Sequence, residues 1–290
     1  MPAADLVVSV VVAGLLTGLV YGLMALGLSV IFGVMRVVNF AHGELMTLAM
    51  YATVFACSAF SLDPFVVLVP VALGFFGLGY VLQATVINRF ITKPEHVQFL
   101  LLLALATILV NAQLMAFGPD ARGVQTDYQL DAIELGPLLI DTVRLYAAAA
   151  AIVASGLVIA FFRFTLVGKA IRGCADNHLG AKVIGLPVER LYALTFGLGA
   201  SCVAVAGTLL VLIVEVTPGA GPAYTLLGFV IVIVGGLGSI AGALVGGVLI
   251  GMSEGVAGLF VSPSAKSMVS FALLILVLLL RPAGLLGKTA

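Results

Sequence analysis

Eight stretches of this chain contain no Asp, Glu, Lys or Arg: residues 6–35, 45–62, 64–88, 97–119, 145–162, 191–214, 216–253 and 267–280. Most have the length of one helical crossing of a bilayer, for which about 20 apolar residues suffice. Lipid leaves a spanning backbone two solutions, the helix and the closed barrel, because every N–H and C=O must find its partner within the protein. The stretches are apolar on all sides and show no two-residue alternation, so they predict helices. A soluble fold is excluded, since 62% of residues are hydrophobic and 9% charged, against about 25% charged in an ordinary soluble domain. The expected fold is all-α, a polytopic membrane bundle of seven to nine spans forming a single domain over residues 1–290. Two stretches exceed one simple crossing. Residues 6–35 run into the polar turn that holds Asn39, His42, Gly43 and Glu44, and residues 216–253 contain Gly235, Gly236, Gly238 and Ser239. Re-entrant or broken elements are therefore expected near both ends, the pattern of a transporter with two related halves.

That many spans leave no room for a nucleotide-binding domain, so any energy source belongs to another chain. Thirteen basic and thirteen acidic residues cancel, which gives no footprint for nucleic acid. Cys57, Cys174 and Cys202 are scattered and read as small packing residues. His42 and Glu44 lie two residues apart, point to different helix faces, and belong to no HExxH pattern. No catalytic residue, metal or cofactor is expected on this chain. The N-terminus lacks a basic segment before its apolar run, so that run reads as a retained span.

Charge orients the bundle. Residues 161–190 carry Arg163, Lys169, Arg172, Lys182 and Arg190 against Asp176 and Glu189, which marks a cytoplasmic loop. Residues 118–144 reverse the balance, with Asp120, Asp127, Asp131, Glu134 and Asp141 against Arg122 and Arg144; an external segment of this kind suits a basic partner surface. Arg36, Arg89, Lys93, Arg281 and Lys288 then fall inside, giving an external N-terminus, a cytoplasmic C-terminus and an odd number of spans. Residues 170–184 read as one short helix with Ile171, Cys174, Ala175 and Leu179 on a stripe, stopped by Gly185 and Pro187. Such a helix docks into a groove on a partner or rests on the lipid interface. Asn39 reads as the cap of the following helix; alternatively its turn and the glycine turn at 235–239 line a pathway and offer backbone N–H groups to a carboxylate. Asn111 and Gln113 bond a neighbouring helix or meet a solute.

Four blocks of sequence carry a family resemblance. They are Gly27-Leu28-Ser29 through Asn39-Phe40-Ala41-His42-Gly43-Glu44; the loop residues Gly168, Arg172, Ala175, Asn177, Ala181, Gly185 and Pro187; Gly235-Gly236-Leu237-Gly238-Ser239-Ile240-Ala241-Gly242-Ala243; and Leu279-Leu280-Arg281-Pro282-Ala283-Gly284-Leu285. In that order, and nearly end to end, the chain resembles the membrane permeases of bacterial ATP-binding-cassette importers for branched-chain amino acids, a group that also includes urea and short-chain amide permeases. The second block is similar to the family's ATPase-docking loop. The resemblance implies a five-part importer in the bacterial inner membrane, in contact with membrane lipid: this chain, a second and different permease, two cytoplasmic subunits that bind ATP, and an external solute-binding protein that makes most of the selection. Arg172 or Lys182 would pair with acidic groups in the ATPase cleft, and closure of the ATPases would tilt the flanking spans. A secondary transporter or channel is the rival from another class. It predicts ionisable groups within the spans, and the charge-free runs contain none.

Overall fold

The computed structural model describes residues 3–126, 128–129, 131–135, 138–260 and 266–287. Asp127 and Lys288, used in the charge argument, lie outside the described residues. Each charge-free run forms helix: α1 (Ala3–Met35), α2 (His42–Phe60), α3 (Pro64–Thr85), α4 (Glu95–Phe117), α5 (Thr142–Phe164), α8 (Val188–Leu210), α9 (Gly221–Gly235), α10 (Ile240–Phe260) and α11 (Lys266–Leu280). Among the described residues eight helical segments are long and apolar enough to cross a membrane, and α11, with 15 residues, is shorter. The run 216–253 makes two helices, because Gly236 and Gly238 take left-handed backbone (φ 110° and 79°) and reverse the chain between α9 and α10. Asp63 starts α3 by accepting from Phe65 N at 2.8 Å, with Pro64 in the first turn.

The bundle has two ends. Arg122 and Val216 pair through both backbone bonds, and Tyr128 donates to Asp63 Oδ2 at 2.9 Å, so residues 61–63, the described residues of 118–141, and 211–217 share one end. At the other, Asn88 reaches Glu189 O, and Gly238 lies against Gly33. This second end carries residues 86–94, the helices α6 (Leu166–Asp176) and α7 (His178–Val183), the 236–239 turn and residues 281–287. Residues 132–135 and 138–141 depart from the all-α expectation. They form an antiparallel hairpin of β1 (Ala132–Leu135) and β2 (Leu138–Asp141), with Ala132 opposite Asp141 and Ile133 opposite Ile140. These are the only strands among the described residues, and their backbone pairing fits a segment beyond the helical layer.

Inside the bundle, small residues set the packing. Gly14 and Gly18 of α1 meet Gly251 and Gly247 of α10 so closely that a Cβ would sit 2.6 Å and 2.7 Å from the facing carbonyl oxygens. Between spans in lipid no hydrophobic force separates core from surroundings, and close backbone approach supplies dispersion contact instead. The most enclosed span is α8, which puts Phe196, Ala200, Val203 and Ala204 against α1, α2 and α3. By contrast, α4 buries only Leu102, Ala106 and Gln113. It is seated by Phe99 edge-on to Phe40 at 4.7 Å, Phe117 stacked on Tyr51 at 4.3 Å, and one bond from Gln113. The segment after α11 turns at Gly284 (φ 79°) and bonds back, Leu285 N to Val234 O and Leu286 N to Gly235 O, both at 2.9 Å. It thereby pairs the last carbonyls of α9, which is a structural use for the fourth sequence block.

Two carboxylates overturn the expectation of spans without ionisable groups. The helices continue past the edges of the charge-free runs, which places Glu44 in the first turn of α2 and Glu254 well inside α10. Glu44 is 2% exposed, and Glu254 accepts from Ser270 Oγ of α11 at 2.8 Å.

Candidate functional site

The turn 36–41 brings the chain back from the end of α1, so that α2 begins beside the middle of α1: His42 Nε2 donates to Met24 O at 3.0 Å. A carbonyl only accepts, so Nε2 carries a proton, and Nδ1 is left without a partner. The start of α9 meets the start of α2 here. Gly43 N donates to Thr225 Oγ1 at 2.8 Å, and the Thr225 hydroxyl has Glu44 Oε2 at 3.2 Å and Phe40 O at 3.3 Å as acceptors. A Cβ on Gly43 would overlap Gly221 O and lie 2.6 Å from Thr225 N, so only glycine permits this approach. From α4, Gln113 Nε2 donates to Glu44 O at 3.2 Å. Asn39 Nδ2, His42 Nδ1 and Gln113 Oε1 are buried without partners. Unpaired polar groups in a low-dielectric core are costly, and three around a buried carboxylate single out this junction.

This arrangement can be set against what the sequence suggested. Asn39 does not cap α2: its Oδ1 accepts from Ala41 N at 3.2 Å, one residue ahead of the helix, and α2 has no side-chain cap. The 39–44 turn and the 235–239 turn, both offered as pathway lining, lie at opposite ends of α9. The first packs on the start of α9 and the second follows its end, about 20 Å away at 1.5 Å per residue, where Gly235 faces Gly242, Gly236 faces Gly287, and Ser239 Oγ accepts from Gly242 N. The Gly43 N–H is also already taken by Thr225. The junction therefore offers mainly acceptors rather than the bare amides a carboxylate needs. Of the two α4 amides singled out from the sequence, Asn111 bonds its own helix at Thr107 O, and only Gln113 points inward.

The α6–α7 loop is the second candidate. Thr165 caps α6 by accepting from Gly168 N at 2.9 Å, and Gly168 packs on the Phe161 carbonyl with no room for a Cβ. The single helix expected over 170–184 is broken. Asn177 is extended (φ −152°, ψ 97°) and caps α7 by accepting from Gly180 N at 2.9 Å. The break resets the helical phase: Ile171 and Cys174 face α1, α5 and α8, whereas Leu179 turns outward. Burial pushes the Cys174 thiol above its usual range. Ala181 is buried, Ala175 is half-buried, and Arg172, Asn177, Gly185 and Pro187 are exposed. Gly185 ends the segment with φ 83°. Leu179, Val183 and Ile184 are 64%, 85% and 76% exposed, an apolar tip that the stripe read from sequence missed. Their spacing within a segment bounded by Asn177 and Gly185 was the available signal.

The family described as "Branched-chain amino acid transport system / permease component" matches residues 10–278. This chain belongs to that family. The permease is 31% identical to the high-affinity branched-chain amino acid transport system permease protein LivH of Salmonella typhimurium, over 95% of this chain and 94% of the relative. The same identity and coverage hold for LivH of Escherichia coli K12. Identity to BraD of Pseudomonas aeruginosa, also a high-affinity branched-chain amino acid transport system permease protein, is 28%, over 96% and 94%. No solved structure matches the permease significantly. Among the described residues no group of His, Cys, Asp or Glu is arranged to hold a metal ion.

Proposed function

We propose that this chain is the membrane subunit of an ATP-driven importer that carries branched-chain aliphatic amino acids across a prokaryotic inner membrane. It works beside a second, different permease, with two ATP-binding subunits on the α6–α7 end and an external solute-binding protein on the hairpin end. The single observation that carries this reading is the permease-family match over residues 10–278. The excess of basic residues around α6 and α7 supports their cytoplasmic position, with the N-terminus outside and the C-terminus inside. The exposed tip of Leu179, Val183 and Ile184, next to Lys182, supports an ATPase cleft as its cover. Burying such a side chain contributes about 1.5–3 kcal/mol. Because α6 is anchored on α1, α5 and α8 through Ile171 and Cys174, a pull on α7 reaches the spans directly.

The test is co-purification from mild detergent, with Val183→Asp and Ala175→Arg alongside, and uptake of labelled leucine and urea. The expected result is two ATPases and a second permease with the parent chain, loss of the ATPases with Val183→Asp, and leucine uptake. Uptake of urea with no leucine uptake would move the substrate to the amide branch of the family. Buried Glu44 and half-buried Glu254 favour a second reading, a transporter driven by ion coupling; a chain that purifies alone and transports without ATP would establish it.

A further inference from the structure

A groove of about 330 Å³ opens where the end of α5 meets the start of α10, lined by Ile159, Phe162, Arg163, Arg172, Ile240 and Ala241. Its walls are apolar, and its two charged members have the same sign. Arg163 lies 5.5 Å from the centroid of the Phe164 ring, which holds the guanidinium near the last turn of α5. Arg172 comes from the exposed side of α6. Among the described residues neither guanidinium pairs with a carboxylate or donates a hydrogen bond. Two unpaired cations beside an apolar cleft are stabilised together by one anion that also has an apolar part.

Depth identifies that anion. The apolar run of α5 ends at Phe162, so Arg163 stands where the hydrocarbon layer gives way to headgroups, and Ile159 lies one turn deeper. We propose that this groove binds one anionic glycerophospholipid. Its phosphodiester bridges Arg163 and Arg172, and the first carbons of an acyl chain lie against Ile159, Phe162 and Ile240. Guanidinium forks suit phosphate oxygens, and basic pockets between spans accept acidic headgroups. A free phosphate would satisfy the arginines and leave the apolar walls uncovered. In this arrangement Arg172 faces lipid rather than an ATPase cleft, and the lipid ties α6 to the start of α10.

The experiment is native mass spectrometry of the full-length chain, purified in mild detergent, stripped of lipid and titrated with phosphatidylglycerol or phosphatidylcholine of the same acyl length. The expected result is preferential retention of one phosphatidylglycerol. Arg163→Gln or Arg172→Gln weakens it about five-fold and the pair about thirty-fold, the weight of a basic residue facing an anionic surface. Ala241→Trp keeps both arginines and fills the groove, so it loses the lipid as fully as the double variant, and circular dichroism checks that each variant remains helical. Equal retention of both lipids, or a double variant that still prefers phosphatidylglycerol, overturns the assignment. Displacement of the lipid by millimolar inorganic phosphate, or exclusion of it by a second permease subunit, overturns it too, leaving a simple anion site or a subunit interface. Lipid retention needs no ATPase and co-purification needs no lipid, so either proposal can fail without the other.

Discussion

Thr225→Val replaces a hydroxyl by a methyl of nearly the same size and so tests the junction of α2 and α9 without opening a cavity. In the folded protein that hydroxyl accepts from Gly43 N at 2.8 Å and lies 3.2 Å from Glu44 Oε2. Valine leaves the Gly43 amide without a partner, a loss of about 1–3 kcal/mol for a buried donor. The bond to Glu44 adds roughly 0.6–1.7 kcal/mol on the scale measured between membrane helices. A net destabilisation of about 2–3 kcal/mol lowers Tm by about 5–10 °C on the scale of soluble domains. The chain has no Trp, so melting is best followed with a thiol-reactive fluorophore. Cys174 and Cys202 are buried and label on unfolding, while Cys57, partly accessible, sets the baseline. Thr225→Ser keeps the hydroxyl and should melt close to the parent. A valine variant that melts within about 1 °C of the parent would show that the hydroxyl does not hold the junction.

Gly247→Val drives a side chain into the Gly22 backbone and should cost about 1–3 kcal/mol or more, seen as loss of a single peak in size-exclusion chromatography. Gly74→Ala meets nothing within 4 Å, and it should be neutral or stabilise by up to about 1 kcal/mol in the same melting assay. Asn177→Ala removes the cap of α7 at a local cost of about 1 kcal/mol; uptake should fall while Tm barely moves, and an equal fall in both would argue against a coupling role. Burial, with the bond to Asp63, raises the Tyr128 hydroxyl above its usual value near 10. Its contribution to stability is therefore complete below pH 10 and is lost as pH rises from there toward the folded value. Ultraviolet titration should show this tyrosinate forming late, and Tyr128→Phe should flatten that part of the stability profile.

The helices were legible because charge is absent from them and concentrated between them, and the reversal at Gly236 and Gly238 was legible as a glycine cluster. The facing glycines at 14, 18 and 22 and at 247, 251 and 255 were equally readable as a small-residue repeat and show which spans touch. Which of Asn111 and Gln113 points inward was not readable. A helix packed in lipid is apolar on its outer face as well as its inner one, so composition gives no phase. The inward position of Glu44 was hidden for a related reason: it closes a polar turn, and only the return of the chain toward Met24 takes it into the bundle. The break at Asn177 is a choice between one helix and two that turns on a single side-chain bond, below what apolar spacing resolves.

The thin seat of α4 has a consequence for how such a molecule moves. Besides the packing of Leu102, Leu105, Ala106 and Leu109, two ring contacts and one amide bond tie this helix to α2 and its entry turn, at about 0.5–1.5 kcal/mol each. A gap of a few kcal/mol keeps the displaced arrangement at about 0.1–10% of molecules at equilibrium. We therefore expect α4 to swing away spontaneously, and a spin label at exposed Met115 that reports one distance distribution under all conditions would refute this. On that view an energised partner acts as a pawl that catches a helix already in motion, and the work it must supply is set by retention of α4 rather than by its extraction.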